Sequence, residues 1–150
     1  MTRVLGLDHG AKRIGVAIGD SELRMAFARP ALRRTSLAAD VAAIEGLCAA
    51  EEIGQIVIGL PRNADGSEGP EVERARRFGA ALEGIGLPIA FVDERLTSWE
   101  AGRQLAAEGR RPDRRSGELD STAARLILQE YVGALPAPAG ADVNPAEEAE

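Results

Sequence analysis

Residues 3–20, RVLGLDHGAKRIGVAIGD, contain two apolar runs separated by a glycine turn. The runs 3–8 and 13–19 are typical of β-strands, and the short connection around Gly10 is typical of an antiparallel hairpin. Asp8 stands at the end of the first run, where burying a carboxylate without a partner is costly. The sequence therefore predicts a hairpin that presents an acid at a position suited to a bound cation.

The rest of the chain alternates between segments typical of strands and of helices. Strands are expected at 25–33, 56–60 and 87–92, and helices at 37–50, from Pro70, at 97–108 and at 118–132. Pro70 suits a first helical position, and Gly133 is placed to cap the end of the last helix. This order predicts an α/β fold with a mixed five-stranded sheet, in which three antiparallel strands precede α/β crossovers, flanked by helices.

Composition predicts one domain followed by a tail. The chain has 150 residues, of which 45% are apolar and 28% charged, as in globular proteins. Residues 134–150 lack apolar periodicity and contain four acids and no base, so we expect a domain at 1–133 and a disordered tail at 134–150. The net charge is −6, but residues 1–133 have 20 acids against 18 bases. The charge therefore does not exclude a nucleic-acid partner.

Composition also favours a cytoplasmic protein. No apolar run approaches the about 18 residues that cross a membrane, and a strand begins too close to Met1 to leave room for a secretory signal. Cys48 is the one cysteine, which excludes an internal disulfide framework and agrees with a reducing compartment.

Three acids stand at the edges of elements that are expected to meet at one end of the sheet. Asp8 and Glu94 close predicted strands, and Asp120 begins the last helix on its apolar stripe. Such a triad would suit two Mg²⁺ or Mn²⁺ ions about 4 Å apart, which can support phosphodiester hydrolysis. Each acid alone also has a structural explanation, such as an ion pair, a turn or the helix dipole.

His9, the one histidine, follows Asp8 in the first strand. Because strand side chains alternate between faces, we expect His9 to pack on the far side from Asp8. Asp93 precedes Glu94 and should point away from it for the same reason, which makes Asp93 a second-choice ligand.

Four blocks of the sequence carry a resemblance to a known family. They are Gly6-Leu-Asp-His-Gly10 with Lys12 and Gly15-Val-Ala17; Gly59-Leu-Pro61 with Asn63 and Asp65-Gly-Ser-Glu-Gly-Pro70; Val92-Asp-Glu-Arg-Leu-Thr-Ser98; and Asp120 with Ala123-Ala124, Ile127-Leu-Gln129 and Tyr131. Together they resemble the YqgF/RuvX family of pre-16S rRNA nucleases, also called Holliday junction resolvase-like proteins. The resemblance spans about residues 3–132. His9 departs from the family, where a small or apolar residue is commoner.

The resemblance implies an RNase H-like fold and a cytoplasmic, Mg²⁺- or Mn²⁺-dependent nuclease. It implies maturation of the 5′ end of 16S rRNA, with cleavage of branched DNA as the alternative. It also places the family's acidic site on Asp8, Glu94 and Asp120, the three acids selected above.

Polar residues around these acids are candidates for substrate binding. Lys12 and Arg13 on the hairpin turn could reach phosphates, although a solvated turn would need the same residues. The loop at 61–69 is longer than most strand-to-helix connections, which favours a functional loop. The remaining candidates are Asn63 and Ser67 in that loop, and Arg95 and Ser98 beside Glu94.

Three further interpretations stay open. A Holliday junction resolvase would need two sites, which predicts a homodimer on symmetry grounds. A ribosome-assembly factor without activity would keep the acids as relics. An ATP-binding protein of the actin and sugar-kinase type also begins with a strand, an Asp-x-Gly turn and a second strand, but such proteins need two of these domains.

Overall fold

The computed structural model describes residues 2–63, 65–94 and 118–135, with residues 118–120 described as helix backbone only. Five strands and three helices occur in these ranges: β1 (Arg3–His9), β2 (Arg13–Asp20), β3 (Met25–Arg33), α1 (Leu37–Ala50), β4 (Ile53–Leu60), α2 (Pro70–Leu82), β5 (Ile89–Asp93) and α3 (Glu118–Gly133). A 3-10 turn at Glu83–Ile85 follows α2. Within these ranges no helix is long and apolar enough to cross a membrane.

The five strands form one mixed sheet in the order β3-β2-β1-β4-β5. Strands β1, β2 and β3 pair antiparallel, and β4 and β5 join β1 in parallel. The predicted fold class, three antiparallel strands followed by α/β crossovers, is confirmed. Because β1, β4 and β5 run in the same direction, their carboxyl ends meet at one edge of the sheet.

Helices cover both faces of this sheet and divide the core in two. On one face, Leu5, Leu7 and Ile58 pack with Ile44 of α1 and Phe78 of α2. The opposite face packs against α3, through the buried residues Val4, Ala17, Ala26, Val57, Ala124, Ile127, Leu128 and Val132. Alternation along each strand therefore decides which residues face α3 and which face α1 and α2.

A bulge in the β2–β3 ladder accommodates the start of α3. The register shifts between Ile14 and Val16, and Pro30, which has no N–H to donate, lies on this edge strand near the shift. The fully buried Ser121 lies here. Its hydroxyl accepts the N–H of Val16 at 3.1 Å and donates to the carbonyl of Arg29. The first turn of α3 is thereby hydrogen-bonded to the sheet.

The far end of α3 is capped by arginine rather than by glycine. The helix ends at Gly133, as predicted, although Gly133 does not have the positive φ of a left-handed glycine cap. Arg24 Nη2 donates instead to the carbonyls of Gly133 and Leu135, at 2.8 and 2.6 Å. The carbonyl of Gly133 is one of those that a helix end leaves without an internal partner, and that of Leu135 belongs to the chain just beyond the helix.

The predicted bounds of the other strands and helices agree with the structure to within a few residues. β4 begins at Ile53 rather than 56, because Gly54 and Gln55 hide the apolar pattern that marks the rest of the strand. β5 begins at Ile89 rather than 87, because Pro88 has no N–H for the ladder, although its carbonyl accepts Ile56 N at 2.9 Å. The predicted helix at 97–108 and nearly all of the predicted tail lie outside the described residues. The division at residue 133 stays a prediction.

Candidate active site

Asp8 lies at the carboxyl end of β1, on the face of the sheet that α3 covers. It pairs with Gly15 of β2, and two residues earlier Gly6 lies so close to α3 that a Cβ there would be 2.8 Å from Leu128 Cβ. Because side chains alternate along a strand, Asp8 shares this face with Gly6. The absence of a side chain at Gly6 therefore lets α3 pack directly against β1 beside Asp8.

Glu94 follows β5 immediately and points to the same face. Ala90 and Val92, at alternate positions before it, pack against the α3 core. Its side chain lies over Gly59 of β4, where a Cβ would be 2.5 Å from Glu94 Oε2 and 2.5 Å from Ile127 Cδ1. Gly59 therefore provides the space through which Glu94 reaches across β4 toward β1.

The carboxyl groups of Asp8 and Glu94 meet in a buried place. The pKa of Glu94 is raised far above its usual value, first by burial, then by the negative charge of Asp8, the hydrogen bond between the two carboxyl groups and the charge of Asp93. Two carboxyl groups in hydrogen-bond contact cannot both be ionised without a large cost in free energy. A proton held by Glu94 relieves this repulsion, and a bound cation would relieve it as well.

Asp120 belongs to the first turn of α3, one residue before the anchored Ser121. This anchor holds the helix start beside Val16, next to the Gly15 that pairs with Asp8. The side chain of Asp120 lies outside the described residues. Among the side chains that are described, no three acids, histidines or cysteines form a metal cluster. The ligand role of Asp8, Glu94 and Asp120 thus stays a prediction.

The donor set nevertheless suits a hard divalent cation. Two carboxyl groups supply oxygen ligands, which Mg²⁺ and Mn²⁺ prefer, and their mutual repulsion gives a cation a favourable place to bind. A cation here would offset both the cost of burying a charged Glu94 and the repulsion from Asp8. These are the two main causes of the raised pKa of Glu94.

His9 lies on the opposite face, as strand alternation predicts. Its ring stacks on Phe78 of α2 with centroids 4.5 Å apart and an interplanar angle of 30°. Burial, followed by the charge of Arg34, lowers the pKa of His9 to about 4. The imidazole is therefore neutral at physiological pH and directed away from the carboxyl pair.

Asp93 also points away from the carboxyl pair. Phe91, two residues before it, packs against Gly79 of α2, and Asp93 accepts a hydrogen bond from Arg62 Nη1 at 3.4 Å. Arg62 also pairs with Glu68 at 2.9 Å. Arg62 thereby ties the 61–69 loop to the end of β5, a role that no motif in the sequence indicates.

The predicted substrate-binding residues divide into three groups. Lys12 and Arg13 are exposed on the hairpin turn. Asn63 and Ser67 hydrogen-bond to each other, with Asn63 Nδ2 2.9 Å from Ser67 Oγ, and a left-handed Gly66 closes this turn. Arg95 and Ser98 lie outside the described residues. Substrate binding by any of the six stays a prediction.

Sequence reasoning missed Gly59 and Ser121 as parts of the site. A glycine inside the apolar run 56–60 is a signal for close approach by another group, but it does not say which group approaches. A serine on the apolar stripe of the last helix is a comparable signal, since a buried hydroxyl needs partners. Neither signal identifies those partners without the fold.

Comparisons with known proteins agree with this architecture. A family model described as "RuvX: Holliday junction resolvase" matches residues 2–134. A protein of Novosphingobium aromaticivorans named "Putative pre-16S rRNA nuclease" is 46% identical over 132 residues, covering 88% of this chain and 85% of the relative. Proteins of the same name from Moorella thermoacetica and Synechococcus elongatus are each 43% identical, covering 89% and 85% of this chain and 96% and 87% of the relatives.

Solved structures of Thermus thermophilus RuvC have a similar fold. One, in complex with a Holliday junction substrate, superposes with a TM-score of 0.53 at 14% identity, covering 89% of this chain and 95% of RuvC. A second gives a TM-score of 0.54 with the same identity and coverage. This likeness confirms the predicted RNase H-like fold.

Proposed function

Because the chain belongs to the RuvX family, we propose that it is a metal-dependent nuclease that hydrolyses phosphodiester bonds at the 5′ end of pre-16S rRNA. The observation that carries the proposal is the buried hydrogen bond between the carboxyl groups of Asp8 and Glu94. Relatives named as pre-16S rRNA nucleases, at 43–46% identity, support the choice of substrate.

In this proposal two divalent ions, either Mg²⁺ or Mn²⁺, are held by the side chains of Asp8, Glu94 and Asp120. When bound, such ions supply an activated water and stabilise the leaving oxygen of the phosphodiester. They also answer an electrostatic problem, since two adjacent carboxylates would otherwise repel a phosphate.

The protein's own residues position this chemistry. Gly59 leaves room for Glu94, and Ser121 anchors the helix turn that carries Asp120. Glu94 would have to lose its proton to hold a cation, so metal uptake would release a proton. No general base is required of His9, which faces the other side of the sheet.

Substrate contacts are assigned to residues around the acids. Lys12 and Arg13 extend from the turn next to Asp8 and would meet phosphates as charged donors. Asn63 and Ser67 present their turn at the carboxyl end of β4, and Arg95 and Ser98 follow Glu94 in the chain. We place the protein in the cytoplasm, where 16S precursors are processed.

A second candidate function is Holliday junction resolution, as a homodimer. The description of the matching family model favours it. The two-fold symmetry of a four-way junction would require two active sites. An assembly factor without catalysis is the third candidate.

The test compares cleavage of a 5′-extended 16S precursor RNA and a four-way DNA junction, each with Mg²⁺ or Mn²⁺. Wild type is compared with Asp8→Asn and with Glu130→Gln, a control that removes an exposed carboxylate from α3. We expect wild type and Glu130→Gln to cut the RNA at its 5′ extension, with Asp8→Asn at least about 100-fold slower. Cleavage of the junction alone would favour the resolvase. Equal activity of Asp8→Asn would overturn the proposal, and so would no cleavage of either substrate by wild type.

A further inference from the structure

A basic cavity lies on the face of the sheet opposite Asp8. Its volume is about 160 Å³, and it opens between β1, the chain before α1, and α2. The residues that line it are His9, Arg34, Leu37, Arg74, Arg77 and Phe78. Three of these six residues are arginines, so the cavity is suited to an anionic ligand.

The cavity combines an apolar floor with a cationic rim. Phe78 is almost fully buried beneath the His9 ring, and Leu37 is 50% exposed at the side. His9 itself adds no charge at physiological pH, since burial lowers its pKa to about 4. The rim is therefore charged by Arg34, Arg74 and Arg77.

Nearby acids do not neutralise this rim. Glu73 lies 3.8 Å from Arg77, but both side chains are largely exposed, at 75% and 68%, and such pairs are weak. The buried Asp40, which accepts the N–H of Thr35 at 3.1 Å, is close enough for its charge to act on His9, but it supplies one negative charge against three arginines. In the part of the chain that the structure describes, Arg74 forms no ion pair.

The rim continues to the turn beside Asp8. Arg34 Nη1 donates to the carbonyls of Gly10 and Ala11, at 2.8 and 3.0 Å. Arg34 also lines a second groove, with Lys12 and Arg33. One cationic path, formed by Arg74, Arg77, Arg34, Arg33 and Lys12, thus runs from α2 to the hairpin turn.

We propose that this path is a phosphate-binding subsite that holds the sugar-phosphate backbone of the substrate strand, next to the scissile bond. The inference rests on the proposed nuclease function and extends it to a second face of the sheet. Asp8 and His9 are consecutive residues directed to opposite faces, so a strand crossing the end of β1 meets the carboxyl pair on one side and the arginines on the other. Arginine binds phosphate through paired N–H donors.

The test measures binding apart from cleavage. Full-length Asp8→Asn protein, in EDTA, is titrated with fluorescent precursor RNA and with a fluorescent four-way junction across a salt series. Adding Arg74→Gln and Arg77→Gln together should weaken binding about tenfold or more. For the single-stranded part of the precursor RNA, the double substitution should also reduce the slope of the logarithm of the binding constant against the logarithm of the salt concentration by about 1.4. Two phosphate contacts are lost, and each contributes about 0.7 on a single strand. In the background that retains Asp8, KM should rise and kcat should stay within about twofold.

Arg76→Gln is the matched control. Arg76 lies on the same helix, but it pairs with Glu68 at 3.0 Å and lies over the Phe91 ring, away from the cavity. The loss of the Arg76 charge should leave the salt dependence of binding unchanged. Thermal unfolding of the Arg74/Arg77 double variant at the wild-type temperature would exclude misfolding as the cause of weaker binding. The proposal would be overturned if Arg76→Gln weakened nucleic-acid binding as much as the double variant, or if the double variant bound as tightly as the parent protein. In the second case an acidic protein segment would be the better candidate ligand for the cavity. If Asp8→Asn binds neither probe, the proposed function fails instead.

Discussion

Glu94 lies over Gly59, with Oε2 only 2.5 Å from the point where a Cβ at residue 59 would be. The side chain of Glu94 reaches the carboxylate of Asp8 through this gap and hydrogen-bonds to it. A glycine on the middle strand of three is therefore what allows acids from β1 and the end of β5 to meet. The carboxyl pair depends on the absence of one methyl group.

Gly59→Ala should separate the carboxyl pair. The new methyl group overlaps Glu94 and Ile127, and relief of the overlap requires both side chains to shift. We expect a loss of about 1–3 kcal/mol of unfolding free energy, together with a loss of cleavage of at least about tenfold. Gly54→Ala, at the other end of β4 against the exposed Thr2 side chain, is the control and should cleave normally. Full cleavage by Gly59→Ala would contradict the role of the gap.

Glu94 should make the metal-free protein less stable as pH rises. Its pKa is raised in the folded state, by burial and by Asp8, so the folded protein holds a proton that the unfolded chain releases at a lower pH. The stability that the protonated Glu94 contributes is fully present below the pKa that this residue has in the unfolded chain. It is lost as the pH rises through the higher pKa that Glu94 has in the folded protein. Thermal unfolding in EDTA between pH 5 and 9 measures the effect.

Glu94→Gln supplies the control for that titration. The amide cannot ionise, so the variant should lose less stability between pH 5 and 9 than wild type, and should be the more stable protein at the upper end. An identical pH profile for the two proteins would show that Glu94 titrates normally.

Ser121→Ala should destabilise the protein and weaken catalysis together. The change leaves the N–H of Val16 and the carbonyl of Arg29 without the hydroxyl that joins them. A buried polar group without a partner costs about 1–3 kcal/mol, and the first turn of α3 loses its anchor. Ser36→Ala, which removes the side-chain cap of α1, should cost about 1 kcal/mol with cleavage unchanged. Equal kcat in both variants would show that the anchor does not position Asp120.

His9→Phe should retain cleavage. The imidazole packs on Phe78 and is neutral, so a phenyl ring can replace most of its contacts. We expect kcat within about threefold of wild type and an unchanged pH optimum. A loss of about 100-fold, or a displaced pH profile, would assign a proton-transfer role to His9.

The sheet could be predicted because its signals are local. The hairpin at residues 3–20 and the helix Leu37–Ala50 follow from apolar periodicity and one glycine turn. Asp8 and Glu94 are predictable site residues because each ends a strand, and parallel strands bring their carboxyl ends together. The family resemblance then gave the fold its name.

Other features of the fold and of the site depend on contacts between distant segments. Ser121 bonds to a strand 105 residues earlier in the chain, and Arg24 caps a helix that ends 109 residues later. Nothing in the sequence around either residue identifies its partner. The basic cavity is similar, because Arg34 and Arg74 become neighbours only when α2 packs against the end of β1.

Direct measurement of Mn²⁺ binding tests the central claim, that Asp8 and Glu94 form one cation site. Isothermal titration of wild type, Asp8→Asn, Glu94→Gln and the Glu130→Gln control needs no substrate and no activity. We predict that wild type and Glu130→Gln bind Mn²⁺ alike, with proton release, and that each of the other two binds at least about tenfold more weakly. Unchanged Mn²⁺ affinity in both Asp8→Asn and Glu94→Gln would contradict the account.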